Sequence, residues 1–187
     1  LVIANSQWTA RRLAEAEGNS SRVPVMVSHE GVQHARFRAE GPAGGEALPA
    51  EYLLWASNFY AYKRAELALA AYATLAPALR ERFPLVLVGG DWDGGRQRAE
   101  DAARRLGIER HVRFTGWVED DRLPAIFRGA RAHLMATSEE TFGKSVAEAM
   151  ACGCPNVLQD LPVLREVAGG AALFTDFVDA SAAGATL

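Results

Sequence analysis

Two carboxylates and a glycine carry the most chemistry in this chain. Glu140 and Glu148 stand eight residues apart, with Phe142 and Gly143 between them. The apolar run 132–136 in front of them reads as a buried strand. The stretch from Gly143 onward reads as a helix that stops at Gly153, with Pro155 reinforcing the stop. A helix starting near Gly143 aims its free N–H groups and positive dipole end at the strand-to-helix turn, which makes an anion site. Helical side chains lean toward the N-terminus, so the Glu148 carboxylate leans back toward the same place. A carboxylate beside an anion is repelled unless its own partner is a hydroxyl. A diphosphate flanked by two sugars supplies this pattern: the anion sits on the helix end, ribose hydroxyls on one glutamate and sugar hydroxyls on the other. Glu140 also has a plainer reading as a helix-capping acid, a role for which Glu139 is an equal candidate. Glu148 lies among Val146, Ala147, Ala149 and Met150 in a helix that otherwise reads as buried, and a buried carboxylate needs a partner.

The elements that must position these groups alternate strand and helix. Tyr52-Leu53-Leu54-Trp55-Ala56, Leu85-Val86-Leu87-Val88, His111-Val112-Arg113-Phe114, Asn156-Val157-Leu158 and Ala171-Ala172-Leu173-Phe174 read as strands. Helices are expected over 63–82, kinked or ended early by Pro77, and over 97–106, 143–152 and 163–168. A short helix to Phe127 should be capped by Asp120 or Asp121, with Pro124 in its first turn. Continuous apolar strands alternating with helices imply an α/β fold with a Rossmann-like parallel sheet covered on both faces. Earlier, residues 1–4 read as a strand, Asn5-Ser6 as the cap of a helix to Gly18, and Arg22-Val23-Pro24-Val25-Met26-Val27 as a second strand. A buried strand at the first residue suggests a chain that starts inside something larger. Residues 38–50, rich in Gly and Pro, read as a flexible loop. The tail 179–187 is small and polar and shows no structural stop.

Composition narrows the classes. The chain has 187 residues, 49% of them hydrophobic, enough for one sizeable core. A net charge of −3 argues against general binding to nucleic acid or an anionic membrane. No run of 18 apolar residues is present, and the first residues lack the basic start of a signal peptide, so a cytoplasmic setting is expected. The only cysteines, Cys152 and Cys154, are too close for an easy bridge and read as small helix-end residues. His29, His34, His111 and His133 show no metal spacing, and His133 reads as a core residue. Gly89-Gly90 with Gly94-Gly95 fails the GxGxxG spacing, which argues against a dinucleotide dehydrogenase.

Taken together, the blocks of this chain resemble the C-terminal, donor-binding half of a retaining glycosyltransferase of the GT-B fold, in the large family 4. The hallmark is Glu140-Thr141-Phe142-Gly143 followed by Glu148-Ala149-Met150-Ala151-Cys152-Gly153-Cys154-Pro155. Five further blocks agree in order: those around Ser6-Gln7-Trp8, Val25 to Val32 with Phe37, Tyr52 to Lys63, Val112 to Val118, and Leu164 to Phe174. There are departures. The family usually has Gly followed by Arg, Thr or Ser at the positions of Ala56-Ser57, and an apolar residue where Lys144 stands.

The resemblance implies a division into the end of an N-terminal domain and linker (1–37), the loop (38–50) and a nucleotide-sugar-binding domain (51–187). It implies transfer of a hexose from a nucleoside-diphosphate sugar to an acceptor hydroxyl, with no metal or other cofactor required. By this resemblance Lys63 is the diphosphate counter-charge and Glu140 acts at the donor sugar, both as catalytic groups. Glu148 binds the ribose hydroxyls. Phe142, Gly143, Lys144, Ser145, Ser57, Trp117 and Val118 complete the donor contacts. The acceptor domain is expected to be missing, so the isolated chain should be inactive, and any peripheral membrane association should run through that missing domain. The alternatives are a GT-B nucleotide-sugar epimerase and a non-catalytic half-transferase.

Overall fold

The computed structural model describes residues 1–16, 23–45 and 47–187. It begins with strand β1 (Val2–Ala4), helix α1 (Gln7–Ala16) and strand β2 (Val25–Val27). β1 and β2 pair in parallel as a small sheet of their own. The remainder builds on a second sheet. Its strands are β3 (Tyr52–Ala56), β4 (Leu85–Val88), β5 (Val112–Gly116), β6 (Ala130–Met135), β7 (Asn156–Gln159) and β8 (Leu173–Thr175). Between and after them come α2 (Ala65–Ala73), α3 (Pro77–Arg82), α4 (Gly95–Arg105), α5 (Leu123–Gly129), α6 (Lys144–Ala151), α7 (Pro162–Ala168) and α8 (Ala180–Thr186).

All six strands run parallel, in the order β5-β4-β3-β6-β7-β8. The chain therefore winds outward in one direction from β3 and in the other from β6. Between β3 and β6 lies a switch point, where the loops leaving the two carboxyl ends diverge and open a crevice.

The period-2 alternation of β3 feeds two cores. Leu53 and Trp55 point to one face, where they pack with Phe59, Leu69, Tyr72 and Ala99. Tyr52, Leu54 and Ala56 point to the other and meet Val86, Val88, Ile126 and Phe127. A third cluster, Met135, Val146, Leu158 and Leu164, seats α6 and α7 on the sheet. Each of these large side chains is essentially out of water and contributes about 1.5–3 kcal/mol of hydrophobic stabilisation.

The parallel α/β sheet follows the expectation, and three local details differ. The 63–82 helix is broken twice. A single 3-10 turn, Ala61–Lys63, ends at Arg64 in the left-handed region (φ 51°); α2 then ends early, at Ala73, one of the two outcomes expected of Pro77, and Pro77 itself opens a fresh helix. Neither Asp120 nor Asp121 caps α5; Arg122 occupies the cap position without a side-chain bond, although Pro124 does sit in the first turn. The tail is a helix, α8, capped by Asp179, whose Oδ1 accepts from the Ser181 and Ala182 amides. Ala183 and Gly184 of α8 are buried, and a Cβ on Gly184 would lie 1.8 Å from Thr74 Oγ1. The expected helix end at Gly18 and strand start at Arg22 lie outside the described residues.

Arg128 on α5 donates to the carbonyls of Arg38 (3.0 Å) and Pro42 (2.6 Å), and the Gly44 amide donates to Ala125 O (2.6 Å). These bonds hold residues 38–44 against α5. Among the described residues no helix is long and apolar enough to cross a membrane.

Candidate functional site

At the β3/β6 switch point lies a cavity of about 420 Å³. The turns after β3, β4, β5 and β6 line it, together with the first turn of α6 and Glu30 from the turn after β2. The ten residues singled out in the sequence (Ser57, Lys63, Trp117, Val118, Glu140, Phe142, Gly143, Lys144, Ser145 and Glu148) all line this one cavity.

The turn carrying Lys63 and the loop carrying Glu140 are fastened to each other. The Tyr62 carbonyl accepts from Thr137 Oγ1 (3.1 Å), from the Ser138 amide (2.8 Å) and from Ser138 Oγ (3.2 Å). Across this junction Lys63 Nζ donates to Glu140 Oε1, with the two side chains only 14% and 9% exposed. Lys63 Nζ also lies 4.9 Å from the centre of the Tyr62 ring, a cation–π contact. Arg64, the neighbouring cation, pairs with Glu66 at 3.2 Å and does not line the cavity.

Gly143 forms the start of α6. Its φ of 92° favours glycine, and a Cβ there would lie 2.8 Å from Leu164 Cδ2. No side chain caps α6; the Val146 and Ala147 amides bond the Gly143 carbonyl, which leaves the Lys144 and Ser145 amides for something else at the cavity edge. Glu148, one turn further on, is only 13% exposed. Burial raises its pKa above the usual carboxylate range, and the nearby Asp120 and Glu30 add to this; Lys144, at 3.9 Å, and Arg36 oppose it.

Gly89 explains how the β3 and β4 turns come so close. With φ 154°, a Cβ there would lie 1.7 Å from the Ser57 carbonyl oxygen. The Asn58 side chain braces the same turn by accepting from the Gly90 amide at 3.1 Å.

Glu30, Asn58 and Asp120 line the cavity without having been singled out. Nothing in local spacing marks them, because each reaches the site from a different loop. α1 clasps the Glu140 loop from outside. Ser6 Oγ and Thr9 Oγ1 donate to the Thr141 carbonyl (2.6 and 3.1 Å), and Asn5 Nδ2 donates to Thr141 Oγ1 (3.1 Å) and Glu30 Oε1 (2.9 Å). Glu166 on α7 holds the start of α1, accepting from the Gln7 and Trp8 amides (2.7 and 3.0 Å), with His29 Nε2 2.8 Å away. Burial pushes the Glu166 pKa up, but the Gln7, His29 and Trp8 donors outweigh it and leave the carboxyl below its ordinary range. The readable part of this clasp was the Asn5-Ser6 helix cap, and Ser6 Oγ does accept from the Thr9 amide at 3.0 Å.

His133 is fully buried, as a core residue should be. Asn156 Nδ2 donates to Cys154 O (2.9 Å), so Asn156 Oδ1 is left to accept from His133 Nδ1 (2.8 Å). Burial lowers its pKa to about 4. Cys152 and Cys154 are buried free thiols, and burial pushes Cys154 up to about 12.

The sequence matches the family described as "Glycosyl transferases group 1" over residues 40–184. A D-inositol 3-phosphate glycosyltransferase of Streptomyces bingchenggensis is 34% identical over 172 residues, which cover 86% of this chain and 38% of that protein. An Escherichia coli O-antigen chain mannosyltransferase B is 34% identical over 134 residues, covering 70% of this chain and 34% of that one. The chain thus spans little more than a third of these curated relatives. Among solved structures, Anabaena HepE in complex with UDP and glucose superposes over 100% of this chain and 52% of its own, with a TM-score of 0.81 at 20% identity. A sucrose-phosphate synthase from Thermosynechococcus elongatus covers 98% of this chain and 47% of its own, with a TM-score of 0.80 at 24% identity.

Proposed function

This chain belongs to the group 1 glycosyl transferases, and we propose that its cavity is the nucleotide-sugar donor site of a retaining, family 4 hexosyltransferase. In this reading residues 51–187 form the donor domain, and residues 1–37 are the end of an N-terminal domain and its linker. The observation that carries it is the convergence of Lys63, Glu140, Glu148 and the uncapped start of α6 on one cavity at the sheet's switch point.

The chemistry follows from the charges. The donor diphosphate rests at the α6 amides, where the helix dipole favours an anion. The ribose hydroxyls donate to Glu148, whose burial is compensated once it accepts hydrogen bonds. As the glycosidic bond to the diphosphate breaks, negative charge grows on the phosphate and Lys63 meets it electrostatically. Glu140, already bonded to Lys63, faces the donor sugar and stabilises positive charge at the anomeric carbon. The departing phosphate accepts the proton of the acceptor hydroxyl. No step calls on a metal or other cofactor.

The acceptor-binding groups, and any membrane association, belong to the part of the relatives that this chain does not span. The chain alone therefore binds nucleotide weakly and transfers no sugar, and its setting is cytoplasmic and bacterial; the relatives named above come from bacteria. Those relatives are transferases, which leaves the epimerase reading without support.

The test is a thermal-shift panel of UDP, GDP, ADP and dTDP. A true ligand raises the melting point by mass action, and Glu148→Ala abolishes the shift. No shift with any of the four, or a full shift in the variant, would sink the reading.

A further inference from the structure

We propose that the Lys144 side chain is the mobile cation for the donor diphosphate, leaving Glu148 for the phosphates when the ribose hydroxyls take Glu148. This rests on the donor-site reading and gives the Lys144 side chain a definite role within it.

The cavity has a charge problem. Its lining brings four carboxylates (Glu30, Asp120, Glu140 and Glu148) against two ammonium groups, Lys63 and Lys144. Lys63 is already bonded to Glu140 in a nearly buried pair. A nucleoside diphosphate adds further negative charge to this place, and of the two lining cations only Lys144 is loosely held. Its side chain is 62% exposed, and its single ion-pair partner, Glu148, lies at 3.9 Å, beyond a direct hydrogen bond.

A purely structural role for Lys144 is physically poor. It is the first residue of α6, at the positive end of the helix dipole, where a cation is disfavoured. Its pairing with Glu148 has Lys on the N-terminal side of the i,i+4 spacing, the weaker of the two orders. A cation placed against the dipole in this way gains a rationale when an anion sits between it and the helix end. The exchange is also self-consistent. Ribose hydroxyls donating to Glu148 replace the Lys144 interaction, and the freed ammonium moves to the phosphate oxygens close by. Binding therefore costs neither carboxylate nor ammonium its partner.

The experiment titrates the 187-residue chain and its Lys144→Met and Lys144→Arg variants with UDP, GDP, ADP and dTDP, and with the nucleoside of whichever diphosphate binds. Thermal unfolding first checks that the exposed substitution leaves the fold intact. Lys144→Met should weaken the diphosphate by about tenfold while the nucleoside changes by less than about twofold, the difference expected for one charge-assisted contact to phosphate. Lys144→Arg should restore most of the diphosphate affinity. Equal diphosphate binding by Lys144→Met and the parent overturns the proposal. So does an equal loss for diphosphate and nucleoside, which would make Lys144 a support for Glu148. If the parent binds none of the four diphosphates, the donor-site reading itself falls, and this inference with it.

Discussion

Lys63 and Glu140 come from opposite sides of the switch point, 77 residues apart in sequence, and meet as a nearly buried ion pair at the cavity wall. The pair exists because Tyr62 O gathers three donors from the β6 end and locks the two turns together. Removing one partner strands the other charge. Lys63→Ala should therefore lower stability by about 1–3 kcal/mol, less than a fully buried pair because some solvent reaches it. The double variant Lys63→Ala/Glu140→Ala should recover part of that loss. Urea denaturation of the four chains in this cycle measures the coupling, and strict additivity would mean that the contact carries no energy.

Glu148 should trade stability for binding. Its folded pKa lies above the unfolded value of 4.5, so the folded state holds its proton more tightly than the unfolded chain does. Stability from this group is complete below the unfolded pKa and is lost as pH rises through the folded one. Glu148→Gln should thus melt higher than the parent at pH 7 and lose that advantage near pH 4, while failing to bind nucleotide. Melting curves at the two pH values, with and without nucleotide, check both halves.

His133 acts in the opposite sense. Its folded pKa of about 4 lies below the unfolded 6.5, so between those values the unfolded chain binds a proton that the folded chain refuses. Acidification from pH 6.5 to 4 should cost about 3 kcal/mol through this group. His133→Gln keeps a donor toward Asn156 and removes the titration. Its stability profile should be flatter across that window, whatever its absolute stability.

The strands and the glutamate motif were legible because their physics is local. Apolar runs such as Leu85-Val86-Leu87-Val88 are buried whatever lies beside them, and the spacing of Glu140 and Glu148 across a turn needs no distant partner. The features missed depend on contacts made far away. α8 carries only small side chains, and it is a helix because Asp179 caps it and Ala183 and Gly184 fit closely against its neighbours. The Asp120 or Asp121 cap was read from residue type alone; Asp120 instead faces the cavity. Asn58 joins the site from the turn after β3 and Glu30 from the turn after β2, in the separate two-stranded sheet, and Glu166 joins α7 to α1 over more than 150 residues.

Gly143 tests whether the start of α6 must lie where it does. A Cβ there meets Leu164 Cδ2 at 2.8 Å, and φ 92° strains any other residue, so Gly143→Ala should cost about 1–3 kcal/mol and displace the amides that face the cavity. Nucleotide affinity should fall with it. Leu164→Ala in the same chain removes the clash but not the strain, so stability should not return to the parent level. If Gly143→Ala binds and melts like the parent, the α6 end does not set the anion site.

Arg64 offers the reverse experiment. Among the described residues it is the only non-glycine with positive φ, and it sits between the Lys63 turn and α2. An L-residue in the left-handed region costs about 1–2 kcal/mol, and its exposed pair with Glu66 returns little of that. Glycine relieves the strain but adds freedom to the unfolded chain, so Arg64→Gly should gain about 0.5–1 kcal/mol in urea denaturation. Because Arg64 does not line the cavity, nucleotide affinity should stay as it is. A stabilised chain with unchanged binding separates the two neighbouring cations, Lys63 for the ligand and Arg64 for the turn. A loss of binding on Arg64→Gly would instead mean that the phosphate counter-charge had been assigned to the wrong one.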